Sequence, residues 1–191
     1  MKTRITPFLT MVALLGIATR TLPAQLVVPV SAPTPIGIAE LRPGIPASTG
    51  EMSPAVSALV ARGDSLTGLQ RYTQAVQQYR QAARVARGEG HLPSLTLWHL
   101  ASAHFYAGDP KTAARVLDEL RVEAAEFGDL AVEAVALYDA AWLDGKAGRG
   151  REAGVKVASL EKLLRSPYMP TDVQAFLAGR ISAGRQLAVK Q

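Results

Sequence analysis

Two segments decide the fold: SLTLWHLASAHFYAGDPKTAARVLDEL at residues 94–120 and AVALYDAAWLDGKAGRGREAGVKVASL at residues 134–160. The second segment aligns on the first at an offset of 40 residues, with Tyr138 in the place of Trp98. The identical pairs are Leu97 and Leu137, Ala101 and Ala141, Ala107 and Ala147, Gly108 and Gly148, Ala113 and Ala153, and Leu120 and Leu160. Small residues at helix contacts, a glycine at a turn and large apolar residues facing a neighbour are typical of a repeated helical hairpin.

Helical periodicity extends outward from these segments. From Ser53 onward the chain is rich in alanine and has apolar residues three and four apart, which predicts seven helices. Ser53-Pro54 and Asp109-Pro110 each place a capping oxygen before a proline at the first helical position. These pairs predict two of the helix starts.

Helix ends and the last helix also have signals in the sequence. Gly88, Gly90 and Gly128 stand where helices are expected to stop. Thr171 followed by Gln174 predicts a capping box at the start of the last helix. That helix has one apolar side, which would cover the end of the domain, made of Val173, Phe176, Leu177 and Ile181.

The repeated unit resembles the tetratricopeptide repeat, a helix-turn-helix of about 34 residues. Three units, at 56–89, 94–127 and 134–167, carry its small-residue and turn positions. The matching residues are Leu59, Gly63, Tyr72, Ala75, Tyr79 and Ala82; Leu97, Leu100, Ala101, Gly108, Ala113 and Leu117; and Leu137, Ala141, Gly148, Ala153 and Val157. Gln70 replaces the turn glycine in the first unit, and Pro110 and Gly150 replace the tyrosine in the others.

The resemblance implies an all-α fold, a right-handed superhelix of about three tetratricopeptide-like hairpins plus a C-terminal capping helix at 171–189. We expect this repeat domain to occupy residues 53–191. The alternative is a generic helical bundle with alanine-rich faces.

The first 24 residues are typical of a signal peptide, with Lys2 and Arg4 before an apolar core. A retained membrane anchor is the alternative, but the 15 uncharged residues between Arg4 and Arg20 would give roughly 23 Å of helix against a bilayer core of about 30 Å. Cleavage after Ala24 would leave Gln25 first and no membrane span. We therefore expect a periplasmic or secreted protein.

Residues 25–52 form a proline-rich segment with few charges and no helical period, which predicts a disordered linker. The formal net charge of the chain is +5, and removal of three bases with the signal peptide leaves +2. That modest charge argues against a nucleic-acid partner. The chain has no cysteine, so disulfides, thiolate metal sites and catalytic thiols are excluded.

One short motif suggests an enzyme. Gly63-Asp64-Ser65-Leu66 resembles the nucleophile block of the GDSL-type serine hydrolases, with Ser65 as the nucleophile. That family also needs an asparagine for its oxyanion hole and a late Asp-x-x-His, and this chain has neither. Three histidines lack the spacing that places two metal ligands on one helical face. We therefore expect a protein without catalytic activity, metal or cofactor, and a hydrolase using Ser65 remains an alternative.

In tetratricopeptide-like proteins, ligands lie in a concave groove lined by the first helix of each repeat. The resemblance places these residues in or near the groove: Val60, Asp64, Trp98, Ser102, Phe105, Tyr106, Tyr138, Trp142 and Lys146. Aromatic side chains are favoured anchors for a bound peptide, so the candidate partner-binding residues are Trp98, Phe105, Tyr106, Tyr138 and Trp142. The alternative is that these rings pack between adjacent helices.

Charge is distributed unevenly along the domain. Residues 118–144 carry a net charge of −7 and residues 146–191 a net charge of +6. Such polarity would orient a charged partner, or let copies associate head to tail in a self-assembling envelope element. Solvated faces of opposite sign are the alternative. The leading hypothesis is a bacterial interaction module that binds a segment of a cell-envelope protein.

Overall fold

The computed structural model describes residues 53–189, with side chains to residue 182. The described residues form seven α-helices and no strand, which confirms the all-α prediction. The helices are α1 (Pro54–Gly68), α2 (Tyr72–Gly88), α3 (Ser94–Tyr106), α4 (Pro110–Phe127), α5 (Leu130–Lys146), α6 (Gly150–Leu163) and α7 (Thr171–Val189). The predicted signal peptide at 1–24 and the predicted linker at 25–52 lie outside the described residues.

Helix starts follow the capping signals. The Ser53 side chain accepts a hydrogen bond from the backbone N–H three residues on, at 3.3 Å, and Asp109 does the same at 2.9 Å. Both precede a proline at the first helical position, as predicted. Asp129 caps α5 in the same way, at 3.0 Å, although the sequence analysis did not single it out.

The turn inside each hairpin has one residue in the left-handed region. These residues are Gln70, with φ of 58°, Gly108, with φ of 85°, and Gly148, with φ of 73°. Glycine adopts this conformation without a steric cost, which explains why it recurs in two of the three turns. Gly128 ends α4 in the same conformation, as the sequence predicted.

The last helix packs as predicted but begins differently. Val173 and Leu177 are buried, and Phe176 and Ile181 pack against the core, so the apolar side covers the domain. The predicted capping box is wrong, because Thr171 is already the first residue of the helix and the backbone N–H of Gln174 donates to the Pro170 carbonyl at 2.9 Å. The Gln174 side chain donates to the carbonyl oxygen of Leu164 at 2.7 Å. This bond ties α7 to the end of α6, because Leu164 is the residue that directly follows α6.

Each helix packs against the next from α1 to α6, and α7 packs against α5. One hydrophobic cluster contains buried residues from all seven helices. The centre of this cluster is α5, in which Ala134, Ala136 and Ala140 are fully buried. Small side chains let the neighbouring helices approach closely, so the core is continuous from one hairpin to the next.

Candidate functional site

Four aromatic rings from three helices lie in contact, and we call them the aromatic row. Tyr72 at the start of α2 stacks on Tyr106 at the end of α3, with ring centroids 6.0 Å apart. Tyr106 meets Phe105 edge to face at 5.5 Å, and Phe105 lies 5.4 Å from Trp142 on α5. The row therefore connects α2, α3 and α5.

Lys146 extends the row by one side chain. It lies one helical turn after Trp142, so both residues share a face of α5. The Lys146 Nζ is 5.0 Å from the centroid of the Trp142 ring, within the range of a cation–π interaction. The row thus ends in a positive charge beside an aromatic face.

Exposure changes along the aromatic row. The Tyr106 side chain is 59% exposed, whereas Trp142 is only 9% exposed. Phe105 lies between them and is half-buried. The row is therefore most accessible from the surface at Tyr106.

The indole N–H of Trp142 is buried and has no hydrogen-bond partner among the described residues. An unpaired buried donor costs about 1–3 kcal/mol. An acceptor outside the protein would reach this N–H only after the Trp142 ring had moved, because the atom is buried.

Trp98 has a different environment. Its side chain is 5% exposed, and its Nε1 donates to the Asp139 carboxylate at 3.0 Å. This bond links α3 to α5 inside the core. Trp98 therefore fits the alternative that the rings pack between adjacent helices, because its ring lies between helices and not on an open surface.

Tyr138, the counterpart of Trp98 in the repeat, is half-buried. Burial raises the pKa of the Tyr138 hydroxyl, and a hydrogen bond from Arg180 of α7 acts in the opposite direction. The Arg180 guanidinium also lies 4.9 Å from the ring centroid of Phe176. Tyr138 therefore helps to hold the last helix and lies outside the aromatic row.

The remaining groove residues do not form one surface. Val60 is buried in the core, and Ser102 is exposed. Asp64 accepts a hydrogen bond from the hydroxyl of the buried Tyr79 at 2.8 Å, and the Tyr79 hydroxyl also lies 3.2 Å from Thr67 Oγ1. Asp64 therefore fastens α1 to α2.

The Gly63-Asp64-Ser65-Leu66 motif lies within α1, and packing accounts for its first two residues. A Cβ at Gly63 would lie 2.3 Å from Cε1 of Tyr79, so glycine admits the tyrosine ring. Ser65 is exposed, and its hydroxyl donates to the Ala61 carbonyl at 2.9 Å. This is the ordinary bond of a serine to the preceding helical turn.

The histidines are separated. His99 Nδ1 lies 3.1 Å from Asp64 Oδ1, and the His99 ring packs against Tyr79. Burial lowers the pKa of His99 and outweighs the opposing attraction of Asp64. His104 Nε2 lies 3.5 Å from Arg80. Within residues 53–182, no group of three histidine, aspartate or glutamate side chains is placed to hold a metal ion.

Opposite charges from the two polar segments meet inside the molecule. The buried Asp144 pairs with Arg149 and also accepts from Lys156 Nζ at 2.9 Å. Lys156 reaches Asp118 of α4 at 2.5 Å. Part of the charge that the sequence suggested for an external partner is therefore neutralised between α4, α5 and α6.

The structure brings together three of the five candidate residues: Phe105, Tyr106 and Trp142. Trp98 and Tyr138 lie elsewhere in the interface between helices. Sequence reasoning placed Tyr72 on the repeat motif but did not connect it with the site. The signal available in the sequence was the position of Tyr72. It is the first residue of α2, and it lies opposite the end of α3, the first helix of the next hairpin.

Every helix in the described part of the chain is too short or too polar to cross a membrane. Comparison with family models, curated proteins and solved structures found no match.

Proposed function

We propose that the chain is an exported, non-catalytic interaction module that binds a polypeptide segment against the aromatic row. In this proposal, three tetratricopeptide-like hairpins form a right-handed superhelix that presents the row on its inner side. The sequential packing of the helices and the left-handed residue in each turn support a stack of this kind.

The proposal depends chiefly on one observation, the row Tyr72, Tyr106, Phe105 and Trp142, in which Tyr106 is exposed. Aromatic rings held by packing bury a large apolar area of a ligand at a low cost in side-chain entropy. These features suit an extended or helical peptide with an apolar side chain at its centre.

Trp98 and Tyr138 have supporting roles in this proposal. The Trp98–Asp139 bond fixes α3 relative to α5, and therefore fixes Phe105 relative to Trp142. Tyr138 connects α5 to the last helix. Replacing either residue would change the geometry of the row without removing a direct ligand contact.

The partner is proposed to be a protein of the cell envelope, because residues 1–24 have the pattern of an export signal. N-terminal sequencing of the protein isolated from the cells that produce it should begin at or near Gln25. A sequence that begins at Met1 would contradict export with cleavage.

The binding proposal is tested by placing a photo-crosslinking phenylalanine analogue at Tyr106 in the full chain. Tyr168 is the matched control, because it is 83% exposed and lies between α6 and α7. We expect discrete polypeptide adducts from position 106, weakened by Tyr72→Ala, and none of these adducts from position 168. The same adducts from both positions, or none from position 106, would refute the proposal.

A further inference from the structure

A recess lies between α2, α3 and α4, and none of its lining residues belongs to the aromatic row. It has a volume of about 430 Å³, and we call it the arginine cavity. The residues around it are Arg80, Ala83, Arg84, Arg87, Leu97, Leu100, Thr112, Arg115, Val116 and Glu119. Four arginines and one glutamate therefore surround a single recess.

The floor of the arginine cavity is apolar. Leu97, Leu100 and Val116 are among its lining residues, and each is at most 7% exposed. Ala83 is also buried there. The charged side chains stand around this floor on the surface-exposed sides of α2 and α4. The cavity thus combines an apolar base with a cationic rim.

Only part of the cationic rim is neutralised. Arg87 donates to Glu119 at 2.6 Å and to Glu123 at 2.5 Å. Arg80, Arg84 and Arg115 form no ion pair within residues 53–182.

The polar contacts of Arg80 and Arg84 are weak. Arg84 Nε donates to the Arg80 carbonyl at 3.4 Å, and Arg80 approaches His104 at 3.5 Å. Because Arg80 and Arg84 are four residues apart on one helix, their like charges repel each other. An anion placed between them would relieve that repulsion.

We propose that the arginine cavity binds a small anionic amphiphile, with a phosphate, sulfate or carboxylate head at the arginines and a short apolar chain on the floor. Guanidinium groups bind such anions through paired charge-assisted hydrogen bonds. The volume lies within the range of small-molecule sites, about 300–1,000 Å³. This site uses none of the residues of the aromatic row and does not depend on the peptide-binding proposal.

Calorimetric titration of the full chain with three probes tests the proposal. Octyl phosphate carries both head and chain, inorganic phosphate carries the head alone, and octyltrimethylammonium carries the chain with the opposite charge. We expect octyl phosphate to bind most tightly, inorganic phosphate at least about tenfold more weakly, and the cation not at all. Equal affinity for octyl phosphate and inorganic phosphate would overturn the amphiphile assignment, and binding of the cation would overturn the role of charge.

Two exposed arginines provide the variants. Arg84→Gln and Arg115→Gln should each weaken octyl phosphate binding by about tenfold or more, because each removes a charge-assisted hydrogen bond. Arg151→Gln, an exposed position on α6 outside the cavity, is the matched control and should bind like the parent. Circular dichroism verifies that all three variants remain folded. Unchanged binding in the folded Arg84 and Arg115 variants, or no binding of octyl phosphate to the parent, would refute the site.

Discussion

Gly63 and Tyr79 show how one small residue sets the distance between two helices. The Tyr79 ring is 1% exposed and occupies the space where a side chain at position 63 would lie. Its hydroxyl then reaches Asp64 on the same helix as Gly63. The sequence identified Gly63 as a small contact position, but the periodicity of α1 gave no indication that Tyr79 would be its partner.

Gly63→Ala should lower the free energy of unfolding by about 1–3 kcal/mol, because the added methyl group overlaps the Tyr79 ring. Gly68→Ala is the matched control, since no atom lies within 4 Å of a Cβ at that position. The control should be neutral or stabilising by up to about 1 kcal/mol, as expected for removing a helical glycine. Urea denaturation measures both variants, and equal effects would contradict the packing account.

His99 makes stability depend on pH. Its pKa in the folded protein lies below the ordinary value because burial disfavours the charged ring. The unfolded chain therefore takes up a proton first as the pH falls through about 6.5, and the free energy of unfolding decreases. The pKa of His104 is also lowered, chiefly by burial, and contributes with the same sign.

Urea denaturation at pH 7.5 and pH 5.5 should show this loss of stability on acidification. His99→Gln should reduce the loss, and His99→Gln combined with His104→Gln should reduce it further. A loss that is the same in the parent and the double variant would show that neither ring is responsible.

At the scale of helices, turns were more predictable than contacts. Gly108 and Gly148 were identified from the repeat alone, because a left-handed turn residue has a strong preference for glycine. Gln70 was recognised as a departure from that pattern, and the structure gives it a positive φ all the same. The hairpin geometry therefore overrides the local preference of a glutamine.

Gln70→Gly should raise the free energy of unfolding by about 1 kcal/mol, because it removes the steric cost of a side chain in the left-handed region. The reciprocal change, Gly108→Gln, should lower it by a similar amount. Thermal and urea unfolding measure both. If Gln70→Gly lowered the free energy of unfolding, the contacts of the Gln70 side chain would stabilise the fold by more than the left-handed backbone conformation destabilises it.

The Trp98–Asp139 bond illustrates what helix patterns leave open. The resemblance placed Trp98 in or near the groove and assigned no role to Asp139, because a period of 3.6 residues does not give the rotation of one helix against another. That rotation buries Trp98 with Asp139 and exposes Tyr106. For the same reason the sequence named the aromatic residues of the row and failed to separate them from Trp98 and Tyr138.

At the scale of the whole molecule, the number of helices within residues 53–189, the position of the last helix and its apolar side all followed from the sequence. The pairing of opposite charges between the two charged segments did not follow from the sequence. Lys156 bridges Asp118 and Asp144 because α6 packs against α5, and α5 packs against α4. Charge counted along the chain overstated the polarity because the packing of these helices brings opposite charges together.

The hairpins share one continuous core, so no hairpin can bury its apolar side without its neighbours. Trp98 on α3 and Trp142 on α5 are the two tryptophans of the chain and report on different hairpins. Urea unfolding of Trp98→Phe and Trp142→Phe should be followed by tryptophan fluorescence and by far-ultraviolet circular dichroism. The account predicts a helical spectrum and coincident transitions by both probes in each variant. Separate fluorescence and dichroism transitions, or a spectrum with substantial β-sheet, would contradict it.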